Sequence, residues 1–144
     1  MEKQKLLKVD NLKKKYNKKV VLDIDSLCFE KDNVYVIVGP NGSGNTTLIN
    51  ILNLLEKFDE GQLFFKDNNI NDSNGFELLK IRRQMTLVHQ KPILFQTTVS
   101  NNVSYGLKIR GLSTVNQEKR IKNALKMVGL SGFEKKGCTS TVRR

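Results

Sequence analysis

Asn33-Val34-Tyr35-Val36-Ile37-Val38 runs without interruption into Gly39-Pro40-Asn41-Gly42-Ser43-Gly44-Asn45-Thr46-Thr47, and then into Leu48-Ile49-Asn50-Ile51-Leu52-Asn53-Leu54-Leu55. After Asn33, the five residues Val34–Val38 are all β-branched or aromatic, the pattern of a strand buried on both faces. The last eight suit a largely buried helix. Buried strand, glycine-rich turn and helix in direct succession predict an α/β protein.

Gly39 and Gly44 stand at the Gly-x-x-x-x-Gly spacing of a Walker A loop. Glycines let the backbone curl so that successive N–H groups point inward, and the following helix adds the positive end of its dipole. The result is a concave anion site made by Gly39, Asn41, Gly42, Ser43, Gly44, Asn45, Thr46 and Thr47. In such a site Thr46 would place its hydroxyl on Mg²⁺ and Thr47 would donate to a phosphate oxygen. Taken alone, the same stretch also fits a glycine-rich turn that holds no ligand.

One position departs from the motif: Asn45 stands where a lysine is expected after Gly44. An ammonium at ~4 Å from a phosphate oxygen contributes ~4 kcal/mol per unit-charge pair at an effective dielectric of ~20, before desolvation. A neutral amide offers a hydrogen bond with a net value of ~1 kcal/mol. The exchange therefore lowers phosphate affinity by about one to two orders of magnitude while leaving the backbone cradle intact.

Upstream, Lys5–Val9 and Val20–Leu22 read as two short antiparallel strands joined by a lysine-rich turn over Asn11–Lys19. Downstream, Gln62–Phe65 reads as a strand, and Asn74 with Glu77 three residues on marks a helix start for Phe76–Arg83. Met85–Val88 reads as a second buried strand, stopped by Pro92. Helices are expected over Thr98–Tyr105 and Val115–Val128. For the latter, Thr114 and Gln117 form a capping-box pattern, Ile121, Ala124, Leu125 and Val128 share a face, and Gly129 ends the helix. Residues 135–144 show no periodicity.

The 144 residues suffice for one domain or part of one. Lys and Arg number 25 against 14 Asp and Glu, for a net charge of +11. Residues 1–72 carry 11 basic and 11 acidic side chains, and residues 73–144 carry 14 and 3, so the whole surplus lies in the second half. No nucleic-acid-binding motif accompanies it, and the aromatics there are not interleaved with the basic residues. Nucleic acid is therefore not expected as a partner. No apolar run approaches the ~18 residues of a membrane span, and no apolar leader follows Met1, which predicts a cytoplasmic location. Cys28 and Cys138 lack metal-ligand or CxxC spacing and are read as reduced.

With these motifs in order, the sequence resembles the ATP-binding subunits of ABC transporters, and within them the ATPases of importers for oxyanions such as tungstate, molybdate or phosphate. The resemblance runs from about Lys5 to about Phe133. It is carried by Leu22–Leu27, Gly39–Thr47, Leu87-Val88-His89-Gln90, and Asn102–Gly111 followed by Val128-Gly129-Leu130. It implies a P-loop NTPase with a RecA-like core, an N-terminal antiparallel β subdomain and the start of a helical subdomain. On this basis about 1–95 form the β subdomain and P-loop core, about 96–134 begin the helical subdomain, and 135–144 are a divergent tail.

The resemblance also implies roles. Tyr16 matches the A-loop aromatic that stacks on adenine, although a strand-edge tyrosine would look the same. Gln90 matches the Q-loop glutamine, which reaches Mg²⁺ and the attacking water near the docking surface for the transmembrane subunit. His89 is read as structural. The implied ligands are ATP and Mg²⁺; the implied partners are a permease and a second ATP-binding subunit arranged head to tail, on the inner face of the membrane. The Leu-Ser-Gly-Gly-Gln signature, the Walker B aspartate with its catalytic glutamate, the D-loop and the switch histidine are not found in the 144 residues. Leu130-Ser131-Gly132 directly follows Val128-Gly129, the turn that precedes the signature, and is not the signature itself.

Overall fold

The structure, a computed structural model, describes residues 4–91 and 93–138. Pro92 and residues 139–144, the end of the expected tail, lie outside the described residues. The chain divides into two compact units, Met1–Leu87 and Val88–Arg144.

The first unit is built on a four-stranded antiparallel sheet in the order β2-β1-β3-β4. Its long hairpin joins β1 (Lys5–Tyr16) to β2 (Lys19–Glu30), with β3 (Glu60–Phe65) on the other side of β1 and β4 (Asn68–Asn69) at the edge. The hairpin corrects the expected turn over Asn11–Lys19. Its loop is only Asn17-Lys18, both left-handed at φ 48° and 67°, the two-residue geometry that matches strand twist. The lysines before it belong to β1.

What hid this strand is a break in its alternation. Asn11 is left-handed at φ 49°, and the pairing with β3 shifts between Asp10 and Lys13. Val9 and Leu12, three residues apart, are consequently both fully buried. Gly61 on β3 makes room for this bulge: it has φ 105°, and a β-carbon on it would stand 2.4 Å from the Asn11 carbonyl oxygen.

Against the sheet lies α1 (Asn45–Leu52), which buries Leu48, Ile51 and Leu52 with Val9, Leu12, Leu22, Leu63, Phe65 and Ile70. Burial of a side chain such as Ile51 contributes roughly 1.5–3 kcal/mol. α2 (Gly75–Arg82) starts within a residue of expectation. Asn74 Oδ1 accepts from the Phe76 and Glu77 amides at 3.0 and 3.1 Å, and Glu77 returns a carboxylate oxygen to the Asn74 amide at 3.0 Å.

The two strands expected over Asn33–Val38 and Met85–Val88 do not form. Among the described residues no segment pairs with either, and a β-strand exists only where a neighbour takes up its backbone hydrogen bonds. Residues 33–38 still keep one side inward. Ile37 packs on the core, and Tyr35 meets Phe29 edge-on at 5.0 Å. Val34, Val36 and Val38 are 94%, 81% and 87% exposed.

In the second unit, α3 (Val99–Lys108) packs with α4 (Thr114–Met127). Thr98 caps α3 through the Asn101 amide at 3.2 Å. α4 is capped by Ser113 without a side-chain bond, and the Gln117 side-chain amide donates back to the Leu112 carbonyl. This replaces the expected Thr114/Gln117 box: the helix begins one residue earlier, so Thr114 is already inside it. Of its apolar face, Ile121 and Leu125 are buried, whereas Val128 is 66% exposed. Part of the expected tail is ordered. The Lys136 and Glu134 carbonyls accept from the Val99 and Ser100 amides at 2.9 and 3.0 Å, covering the first-turn donors of α3. Cys28 and Cys138 are free thiols, and no described helix is long and apolar enough to cross a membrane.

Candidate functional site

The glycine loop connects residue 38 to α1 and wraps a concavity of about 350 Å³ lined by Gly39–Thr47 and Val21. Its shape depends on two left-handed glycines, Gly42 at φ 85° and Gly44 at φ 89°. Gly44 is the N-cap of α1 and has a second reason to be glycine. A β-carbon there would stand 2.6 Å from Leu22 Cδ2 and 2.9 Å from the Val21 carbonyl oxygen. Gly39 closes the other end, where a β-carbon would meet Ser43 Oγ at 2.6 Å and Asn45 Nδ2 at 3.3 Å. The Asn45 amide is thus folded back toward the start of the loop.

The loop's donors are arranged for an acceptor from outside. The Ser43 amide is taken by the Pro40 carbonyl at 3.1 Å and the Leu48 amide by Gly44 at 2.8 Å. The amides of Gly44, Asn45, Thr46 and Thr47 find no acceptor among the described residues. The first turn of α1 carries no acidic side chain to occupy that position. Convergent open N–H groups at a helix N-terminus attract an anion with the geometry and size of phosphate. Thr46 is exposed at the rim and Thr47 half-buried. No three His, Cys, Asp or Glu side chains gather as a metal site among the described residues. Mg²⁺ held largely by phosphate oxygens and water asks for little more than a hydroxyl such as that of Thr46.

Tyr16 ends β1 and stands at the same end of the first unit. Its hydroxyl donates to Glu56 Oε1, and the Lys14 ammonium lies 4.9 Å from its ring centroid. The Glu56 carboxylate raises the phenol above its ordinary pKa, with the Thr47 hydroxyl acting on it in the opposite direction. Tyr16 and Thr47 are therefore neighbours. Glu56 and Lys14 were not found by sequence reasoning, which placed Lys14 in a lysine-rich turn. In fact its side chain is 13% exposed and pairs with Glu56 at 3.7 Å and Asp59 at 4.0 Å. Gln90 and His89 belong to the second unit and are exposed.

Residues 22–144 match the ABC transporter domain family. The chain belongs to the ABC transporter ATP-binding family. The tungstate uptake ATP-binding protein TupC of Peptoclostridium acidaminophilum is 33% identical over 128 residues, covering 89% of this chain and 56% of that protein. The energy-coupling factor ATP-binding protein EcfA1 of Thermotoga maritima is 40% identical over 124 residues, covering 84% and 45%. Among solved structures, cbiO1 from Clostridium perfringens, part of the transporter complex cbiONQ, superposes with a TM-score of 0.82 at 30% identity, covering 95% of this chain and 56% of that one. The ATP-binding cassette MJ0796, solved as a dimer with ADP and Pi, gives 0.75 at 30% identity, covering 90% and 60%. This ABC-family chain therefore has the P-loop NTPase fold and spans about half the length of the relatives it matches.

Proposed function

We propose that this chain is the nucleotide-holding part of an ABC importer ATP-binding subunit, taking MgATP at Gly39–Thr47 with Tyr16 against the base. The observation that supports it most is the set of open backbone N–H groups from Gly44 to Thr47 at the head of α1. In this reading Asn41, Gly42 and Ser43 shape the rim of the phosphate loop, Gly44–Thr47 donate to phosphate oxygens, and Thr46 offers its hydroxyl to Mg²⁺. Gln90, in the second unit, keeps the Q-loop role toward Mg²⁺ and the attacking water that the family resemblance implies. Bound MgATP would supply the phosphoryl group whose transfer to water drives transport.

Affinity is weak because Asn45 brings no positive charge. The 144-residue polypeptide carries no signature, catalytic glutamate or switch histidine. Asn45 also withholds charge from the γ-phosphoryl group as it transfers, so turnover by this chain is expected to be slow. Its proposed setting is the cytoplasmic face of the membrane, docked on a permease and facing a second ATP-binding subunit, with an oxyanion as the transported solute. The dimer with ADP and Pi formed by MJ0796 and the tungstate system of TupC favour these two points. A second reading, a non-catalytic subunit that docks on the permease without hydrolysis, is favoured by Asn45 itself.

Calorimetric titration of MgATP into the wild type and Asn45→Lys tests the site. The lysine should tighten binding at least about tenfold. An unchanged dissociation constant would remove the phosphate loop from the proposal.

A further inference from the structure

The end of β1 is held by residues that follow α1. The Asp59 amide donates to the Lys13 carbonyl at 2.9 Å, and Asp59 Oδ2 accepts from the Lys15 amide at 2.7 Å. Between these two anchors, Lys14 turns inward to Glu56 at 3.7 Å. The Glu56 side chain, 22% exposed, takes the Tyr16 hydroxyl. The phenol is thereby fixed at its oxygen by Glu56 while the Lys14 ammonium stands 4.9 Å from its ring centroid. The residue as a whole remains 44% exposed, so ring surface is available to a ligand.

We propose that Glu56 is a positioning residue for nucleotide binding: by holding the Tyr16 hydroxyl beside Thr47, with Lys14 at the ring, it orients the aromatic surface that receives the base. This rests on the reading of Gly39–Thr47 and Tyr16 given above and adds to it a residue outside both motifs. A tyrosine pinned in one orientation loses little rotamer freedom when a base arrives, whereas an unpinned one must be ordered by the ligand. Lys14 serves the same end from the other side. Its ammonium, 3.7 Å from Glu56 Oε1, holds that carboxylate in place as the acceptor for the phenol.

The test compares MgATP with magnesium tripolyphosphate, which has phosphates but no base, on wild type, Glu56→Leu and Glu56→Gln. Glu56→Leu should weaken MgATP about five- to tenfold and leave tripolyphosphate within about twofold. Glu56→Gln keeps an acceptor oxygen and should recover most of the loss. The proposal falls if Glu56→Leu leaves MgATP unchanged, weakens both probes alike, or is matched by Glu56→Gln. Ultraviolet titration of the phenolate gives a readout that needs no nucleotide. With Tyr16→Phe difference spectra isolating Tyr16 from the other tyrosines, its ionisation should move to lower pH in Glu56→Leu, where Lys14 and Thr47 are the groups left facing it. No displacement overturns the positioning role. If the wild type binds neither probe while the phenol titrates as expected, the nucleotide reading fails and the positioning role fails with it.

Discussion

Gly44 and Leu22 touch across the base of the glycine loop, with a β-carbon at residue 44 placed only 2.6 Å from Leu22 Cδ2. Leu22 is itself core, 6% exposed, and cannot retreat without opening the packing around α1. Gly44→Ala should therefore lower stability by about 2–3 kcal/mol, combining a left-handed φ with the clash. Gly42→Ala, at φ 85° with open space around it, should lose only about 1 kcal/mol. Urea unfolding of the two variants distinguishes these values.

The bare side of residues 33–38 predicts association. Three valines exposed above 80% on a β-prone segment form an aggregation-competent surface. Light scattering of the 144-residue chain should rise steeply with concentration, and Val34→Lys with Val38→Lys should suppress it. A cooperative thermal transition from a soluble wild-type monomer would contradict this.

The cap of α2 should matter locally. Asn74 satisfies two amides of the first turn, and Asn74→Ala typically weakens a helix by about 1 kcal/mol. Because α2 buries no residue completely, the loss should appear as faster amide hydrogen exchange over Phe76–Leu79, with little shift of the global midpoint.

Stability should depend on pH through two ion pairs of β1, Lys15 with Glu60 of β3 and Lys8 with Asp10 in the same strand. The Lys15 ammonium holds the Glu60 carboxyl below its ordinary range, and the Lys8 ammonium does the same for Asp10. Each depressed carboxylate stabilises the fold above the usual carboxylate pKa, and the contribution disappears as pH falls through the lowered value. Glu60→Gln should flatten the acid limb of a pH series of urea midpoints. The effect is small, since both partners of the Lys15 pair are solvent-exposed.

The helices and the glycine-rich turn into α1 were legible in the sequence because their signals are local. Asn74 and Glu77 are three residues apart, and the glycines stand at fixed spacing. The hairpin was legible only at its ends: the left-handed Asn11 breaks the alternation by which a strand is recognised. The strands expected over 33–38 and 85–88 do not form, because a strand depends on a partner for its backbone hydrogen bonds and the local apolar run does not record whether one is there. Glu56 escaped because nothing in its local sequence records that β1, forty residues earlier, ends beside it.

Gly61 and Asn11 act as a reading-frame marker for β1. The extra residue accommodated where Gly61 leaves room determines which side chain arrives at the end of the strand facing Glu56. Deleting one residue between Asn11 and Lys15 would leave the hairpin able to pair, yet would present a different side chain in place of the Tyr16 ring. The aromatic surface proposed to receive the base would then be lost through a change that touches neither the glycine loop nor the tyrosine.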